Sequence, residues 1–383
     1  MSQRWPSVPL GDLLRRSTEV ANVSPGSQYQ EITVRLWGKG VVRRGTVAAE
    51  DIDGSRRFLA RSGQFIVSRI DARNGALGIV PDSLDGALVT NDFPVFVIEQ
   101  SLLDSTFFEW LTRTRSFVEL CQRASEGTTN RVRLNEARFL ALEIPLPPPV
   151  DQQRIVARIN AAASKLDQIA NVRSEIGDAE RSLLGSAFQR IVKAAPRRPF
   201  RDVAPLMRRR VNVRLDRDYL ELGIRSFGRG AFHKPALPGA DVGSKKLFEI
   251  HPGDLVFSNV FAWEGALAVA RDADAGRFGS HRFITCVPHA GVSTAPFLRF
   301  YFLTNEGLAE LGTASPGGAG RNRTLGLNAL GAIQVPVPPY EQQLAFDTLQ
   351  MKVDAAQRVQ SVADSQLDAL LPSILDRAFK GEL

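Results

Sequence analysis

The sequence is short of cysteine and histidine: Cys121, Cys286 and four histidines (His233, His251, His281, His289) are all that 383 residues supply. Two cysteines cannot make a disulfide framework, and the histidines fall at no ligand-like spacing, so neither a stapled secreted domain nor a metal site is expected. Both cysteines read as buried apolar residues. Long apolar runs are missing as well. No stretch approaches the roughly 18 residues of a membrane span, and the opening MSQRWPSVPLGDLLRRS has no signal-peptide core, so a soluble, cytoplasmic chain is expected. Acidic side chains are outnumbered, 41 against 48 basic, for a net charge of +7. That balance suits a polyanionic partner.

What is present is a repeat. IPLPPPVDQQ at 144–153 returns as VPVPPYEQQ at 335–343. A shift of 190 brings Pro9-Leu10-Gly11-Asp12 onto Pro199-Phe200-Arg201-Asp202, and Tyr29 with Gly38-Lys39-Gly40 onto Tyr219 with Gly228-Arg229-Gly230. The same shift lays GQFIVSRIDARNGALGIV (63–80) on GDLVFSNVFAWEGALAVA (253–270). A one-residue slip then aligns the proline motifs and the tails SLLGSAF (182–188) and SILDRAF (373–379). One offset across separated blocks means two copies of one unit of about 190 residues.

Each copy has two parts. The first mixes short strands after glycine (64–68, 254–258) with helical stretches such as 104–123, so an α/β or α+β globule is predicted. The second opens at the proline motif, which excludes helix before it and tolerates helix after it. From Gln152 to Gln189 apolar residues recur every three or four positions, at Ile155, Ile159, Ala162, Leu166, Ile169, Ile176, Leu183 and Ala187, with breaks at Arg173 and Glu180. The second copy gives Phe346, Leu349, Val353, Ala356, Ala363, Leu367, Leu370 and Ile374, with Gln360 the exception. Each stripe must be covered. Packing the two helices antiparallel as a coiled coil does so and implies a pseudo-twofold molecule; folding each helix onto its own globule is the alternative. Pro372 predicts a kink or a helix restart. The expected division is 1–143 (first globule), 144–193 (proline motif and helix), 194–334 (second globule) and 335–383 (proline motif and helix).

The pattern of globule, then P-x-P-P with [DE]-Q-Q opening a long helix, twice over, ending in ILDRAFKGEL, resembles the specificity subunit of type I restriction–modification enzymes. The resemblance spans the whole chain, most specifically in the two PP…QQ helices and AFKGEL, and weakly in the globules through GDLVFS and GQFIVS. It implies that each globule is a target recognition domain for one half of a split, asymmetric, double-stranded DNA sequence. It also implies that the paired helices set the spacing and bind two adenine-N6 methyltransferase subunits, alongside a translocase–nuclease subunit. The helix-pair and methyltransferase-binding positions would then be Gln152, Gln153, Leu166 and Ile169 in one copy and Gln342, Gln343, Leu367 and Leu370 in the other. S-adenosylmethionine, ATP and magnesium would belong to those partners, with no cofactor in this chain.

The residues themselves argue against catalysis. An adenine-N6 methyltransferase needs a polar residue before Pro-Pro-[Tyr/Phe] to accept a hydrogen bond from the target amino group, and Val337-Pro338-Pro339-Tyr340 has valine there. Phe227-Gly228-Arg229-Gly230 has the wrong spacing for a methyl-donor loop, and no phosphate-binding G-x-x-x-x-G-K-[ST] occurs. Bases are read by Arg, Asn and Gln, whereas phosphates are held by Arg, Lys, small hydroxyls and backbone amides. Two small-residue loops carry Asn-Arg: Thr129, Asn130, Arg131 and Arg133 in the first copy, and Arg321, Asn322 and Arg323 in the second. Arg69, Arg73 and Lys245 are further groove-facing candidates, with Arg69 aligned to Asn259 and Arg73 to Trp263. A recognition chain of a related two-subunit restriction enzyme, or a coiled-coil scaffold with no DNA role, are the other readings.

Overall fold

The computed structural model describes residues 5–52, 56–127, 132–318 and 323–382, except for the side chain of Ser365. The chain divides into two compact units. The first comprises residues up to Arg173 together with Ser361 onward, and the second is Ser174–Gln360. The first unit is therefore discontinuous in sequence.

In the first unit, Ser7–Pro9 pairs antiparallel with Glu143–Pro145, placing the start of the globule beside its end. One four-stranded sheet runs Leu14–Arg16, Val95–Ile98, Phe65–Val67, Leu77–Ile79, and a second runs Val41–Ala48, Gln28–Val34, Ala87–Val89, Phe58–Ala60. The predicted strand at 64–68 is Phe65–Val67, buried on both faces. The predicted helical stretch 104–123 is two helices, Ser105–Thr112 and Arg115–Arg123. Asp104 and Thr114 cap them by accepting from Phe107 N and Phe117 N. Phenylalanines 65, 96, 107, 108, 117 and 139 fill the core between helices and sheet.

The second unit repeats this plan. Arg197–Pro199 pairs with Gln334–Pro336, a three-stranded sheet carries Leu255–Ser258 at its centre, and Thr294 and Thr304 cap the equivalent helices Ala295–Leu303 and Asn305–Thr313. The arginine-rich segment 190–214 contributes that first strand and the helix Phe200–Val203. Within it, Arg209 is held bidentate by the buried Asp254, at 2.6 and 3.1 Å. Both cysteines are buried, which pushes their thiols up to about 12.

The long helices are Pro149–Val192 and Tyr340–Phe379, each extending the predicted helix toward its proline motif. In the first unit, Ile155 and Ile159 of one helix share the core with Leu375, Ala378 and Phe379 of the other, and Arg173 pairs with Asp364. In the second, Phe188 lies 5.6 Å from Phe346, and Gln357 donates to Glu180 at 2.9 Å. Both sets of contacts describe helices running antiparallel. Arg173 and Glu180, the two breaks in the apolar stripe, are thus the residues that make polar cross-links between helices, where a polar residue fixes register.

Three expectations are corrected here. The stripe is not buried throughout: Ile169 and Leu370 are exposed, as are Val172, Ile176 and Leu183, while Leu166 and Leu367 are half-buried. A two-helix seam covers one narrow strip, and residues off it stay in water. Of the two outcomes expected at Pro372, a restart does not occur, since the helix runs unbroken through it; that position is exposed, so water can satisfy the carbonyl that loses its partner. Finally, Gln152 and Gln343 are fully buried. Gln152 accepts from Asp104 N (2.8 Å) and donates to the carbonyls of Leu102 (2.8 Å) and Pro147 (2.9 Å). Gln343 accepts from Ser293 Oγ and Thr294 N and donates to the carbonyls of Val292 and Pro338. Both amides are spent fastening a helix to its globule and offer nothing to a partner, unlike the exposed Gln153 and Gln342. The matched pair is 152 and 343, so the offset in the helices is 191 and the two Q-Q dipeptides are one residue out of step.

Candidate nucleic-acid interface

In each unit an inner strand of the core sheet ends in a turn that meets two other segments through matching backbone bonds. In the second unit Asn259 N donates to the carbonyl of Arg282 (2.7 Å), and Leu325 N donates to the carbonyl of Asn259 (2.8 Å). In the first, Arg69 N donates to Asp92 (2.8 Å) and Leu134 N to Arg69 (2.7 Å). Because these shared bonds are made by main-chain atoms, they do not fix which side chains stand at the junction.

The side chains do differ. In the second unit the junction encloses a cavity of about 510 Å³ lined by Asn259, Val260, Phe261, His281, Arg282 and Thr324. The Asn259 Oδ1 is buried there without a hydrogen-bond partner among the described residues, a deficit that costs about 1–3 kcal/mol unless another group or water satisfies it. His281 and Arg282 are exposed at its rim. Beside it the Arg323 guanidinium lies 4.9 Å from the ring centre of Trp263, whose Nε1 donates to the carbonyl of Val260 at 3.0 Å. Trp263 is half-buried and acts as a platform for Arg323. An amide, a guanidinium and a hydroxyl on one concavity, with a second guanidinium beside it, have the donor and acceptor range that base edges demand.

In the first unit the same junction holds Arg69, Asn91, Asp92 and Arg133. Arg69 is half-buried, with its Nε 3.4 Å from the Leu134 carbonyl. Arg133 is paired with Asp92 at 2.9 Å, where the second unit has Thr324 beside Arg282. Arg73, the counterpart of Trp263, is half-buried, and its carbonyl accepts from Gln122 at 3.1 Å.

Of the site residues read from the sequence, Arg69 and Arg133 meet at this junction, as do Arg323 and the aligned Asn259 and Trp263. Thr129, Asn130, Arg131, Arg321 and Asn322 lie outside the described residues. The described flanks set the offset at 191, since Leu134 and Leu325 make the same bond; Arg323 is therefore the counterpart of Val132, and the two Asn-Arg dipeptides are not in register. Lys245 belongs to a different part of its unit, on the turn before strand Leu247–Ile250, with its ammonium 4.0 Å from the buried Glu221. Asn91, Asp92, His281 and Thr324 were missed. Their signal is only positional, because they sit opposite the aligned Arg69 and Asn259.

Among the described residues no helix is long and apolar enough to cross a membrane. No family model matches the sequence, and no curated protein matches it. Solved structures do. One, described as the structural basis underlying complex assembly and conformational transition of the type I R-M system, is 19% identical with a TM-score of 0.72 and is covered over 100% of both chains. The HsdS subunit from Thermoanaerobacter tengcongensis is 20% identical with a TM-score of 0.57, over 100% of this chain and 98% of that one. The chain has their fold: two mixed helix-and-sheet globules with long antiparallel helices.

Proposed function

We propose that the chain is the DNA-specificity subunit of a type I restriction–modification complex, a non-catalytic reader that recruits two adenine-N6 methyltransferase subunits and a translocase–nuclease. The observation that carries this reading is the pair of equivalent junctions. Two units of one build hold different polar side chains at matching positions, Arg69, Asp92 and Arg133 in one, Asn259, Arg282 and Thr324 in the other. Identical backbone bonding with divergent side chains is how a duplicated scaffold reads two unrelated half-sites. The target is accordingly bipartite and asymmetric, with an unread gap. S-adenosylmethionine, ATP and magnesium act on the partner subunits.

Arg69, Arg73 and Arg133, with Arg131, serve the first half-site; Asn259, Arg282 and Arg323, with Asn322, serve the second. Lys245 contributes at most a phosphate contact, being away from the junction and 4.0 Å from the Glu221 carboxylate. Ile169, Leu370, Gln153 and Gln342, exposed on the long helices, are open to the methyltransferases. Mapping N6-methyladenine in cells that carry the complex tests the reading. Two short unequal elements around a fixed gap are expected; one continuous motif, or no methylation, overturns it.

A further inference from the structure

Two exposed aromatic rings occupy equivalent places in the two units. Trp37 is 67% exposed and Phe227 72%, the former at the tip of the hairpin between strands Gln28–Val34 and Val41–Ala48, the latter between Asp218–Ile224 and Ala231–Pro238. Their backbones are equally unusual. Trp37 (φ +61°) and Phe227 (φ +61°) are the only non-glycine residues with positive φ among those described, and each is followed by a glycine with positive φ, Gly38 (+63°) and Gly228 (+66°). Two central residues with positive φ make the two-residue turn that favours Asn-Gly. An aromatic residue there is strained, and it persists only when the surroundings impose it. The surroundings do so in both units. Trp37 N donates to Asn74 O (2.9 Å) and Gly38 N to Gly75 O (2.9 Å), and Phe227 N donates to Glu264 O (2.7 Å) and Gly228 N to Gly265 O (2.9 Å). The second turn position must be glycine, since a Cβ at Gly38 would lie 2.9 Å from Arg113 Cγ.

The chain thus holds a large ring in water, in a costly conformation, twice. A ring that buries so little gains little from folding, Phe227 having only the Arg229 guanidinium 5.9 Å from its centre, so its use lies in what it meets. The flanking charges identify that partner: Arg35 and Lys39 flank Trp37, and Arg225 and Arg229 flank Phe227, all four exposed. The nearby Glu264 carboxylate is occupied by the Ser226 hydroxyl at 2.9 Å. The tips are also anchored to the turns that carry Arg73 and Trp263, beside the proposed reading junctions. A protruding ring set among cations is a base-stacking device, because every base offers a π-face and every step a phosphate.

We propose that Trp37 and Phe227 are base-stacking residues, one per unit, each entering the base stack of its own half-site. This rests on the DNA-reading function above. The complex of this chain with its methyltransferase is titrated against the mapped target carrying 2-aminopurine at successive positions. Trp37→Gly and Phe227→Gly remove the ring while relieving the backbone, so loss of folding cannot account for the result. Each is expected to abolish the 2-aminopurine signal in one half only and to weaken binding on the order of 10- to 100-fold, with the salt dependence unchanged because no phosphate contact is lost. Trp37→Phe retains most of both. Wild-type affinity and an unchanged signal in both glycine variants overturn the proposal. So does loss of methyltransferase co-purification in their place, which would make the rings a protein contact. A wild-type complex that binds no specific DNA would overturn the parent reading, and this one with it.

Discussion

Gln152 donates its side-chain amide to the carbonyl of Leu102 at 2.8 Å, joining positions fifty residues apart at the mouth of the first long helix. With its bonds to Asp104 and Pro147, this one amide ties the first turn of the helix to the globule, alongside the core packing of Ile155 and Ile159. Replacing it with alanine leaves buried donors and acceptors unmet. Gln152→Ala and Gln343→Ala are each expected to lower stability by about 2–4 kcal/mol in denaturant unfolding, with Gln153→Ala and Gln342→Ala within about 0.5 kcal/mol of wild type. Equal effects at 152 and 153 would contradict the assignment.

Asp274 predicts the acid response of the second unit. It is fully buried; burial alone would raise its pKa, but hydrogen bonds from Arg271 and His233 outweigh that and hold it at about 2. Its folded value is depressed below the unfolded one, so its contribution is complete above about pH 4 and is lost as pH falls through about 2. The amount at stake is about 2 kcal/mol. Asp274→Asn should be less stable than wild type at pH 7, with the difference shrinking between pH 4 and 2. A constant difference across that window would rule out this origin.

The reading junctions predict half-specific losses. Arg323→Ala is expected to cost about 1–3 kcal/mol on cognate DNA and relax discrimination in one half of the target, with Arg131→Ala or Arg133→Ala acting on the other. Trp263→Ala should reproduce a smaller part of the Arg323 effect, about 0.5–1 kcal/mol, by removing its platform. The measurement is titration against duplexes altered in one half at a time. Losses spread evenly over all sequences would demote these residues to phosphate anchors.

Along the helices, exposure separates two roles that sequence spacing merges. Leu166→Asp and Leu367→Asp put charge at half-buried positions and should reduce both stability and co-purification of the methyltransferase. Ile169→Asp and Leu370→Asp should leave unfolding within about 0.5 kcal/mol of wild type while still weakening co-purification. Full assembly of the Ile169 and Leu370 variants would show that partners grip elsewhere.

The repeat, the strands and the long helices were legible because duplication preserves what packing demands: Phe188 and Phe379 fill matched places, and so do Phe107 and Phe297. The one-residue slip at the proline motifs already gives the helix register, but two glutamines stand together in each motif, and only burial tells which one is fastened. Arg173 and Glu180 looked like flaws in an apolar stripe and are the cross-links themselves. The junction was half visible through Arg69 and Asn259, while Asp92 and Arg282 reach it from the turns before Val95–Ile98 and Phe283–Cys286 by backbone bonds that carry no sequence signal. Trp37 and Phe227 could not be read at all, since they occupy turn positions where sequence preference expects asparagine or glycine.

The discontinuity of the first unit sets an order of events on the ribosome. Residues up to Arg173 emerge with most of a hydrophobic core, yet Leu375, Ala378 and Phe379, which share it, follow only after the whole of Ser174–Gln360. The second unit, continuous in sequence, can close while the first still waits with an open apolar flank. A nascent chain of this build therefore completes itself out of order, and one stopped before Ser361 would release a finished second unit tied to an unfinished, aggregation-prone first.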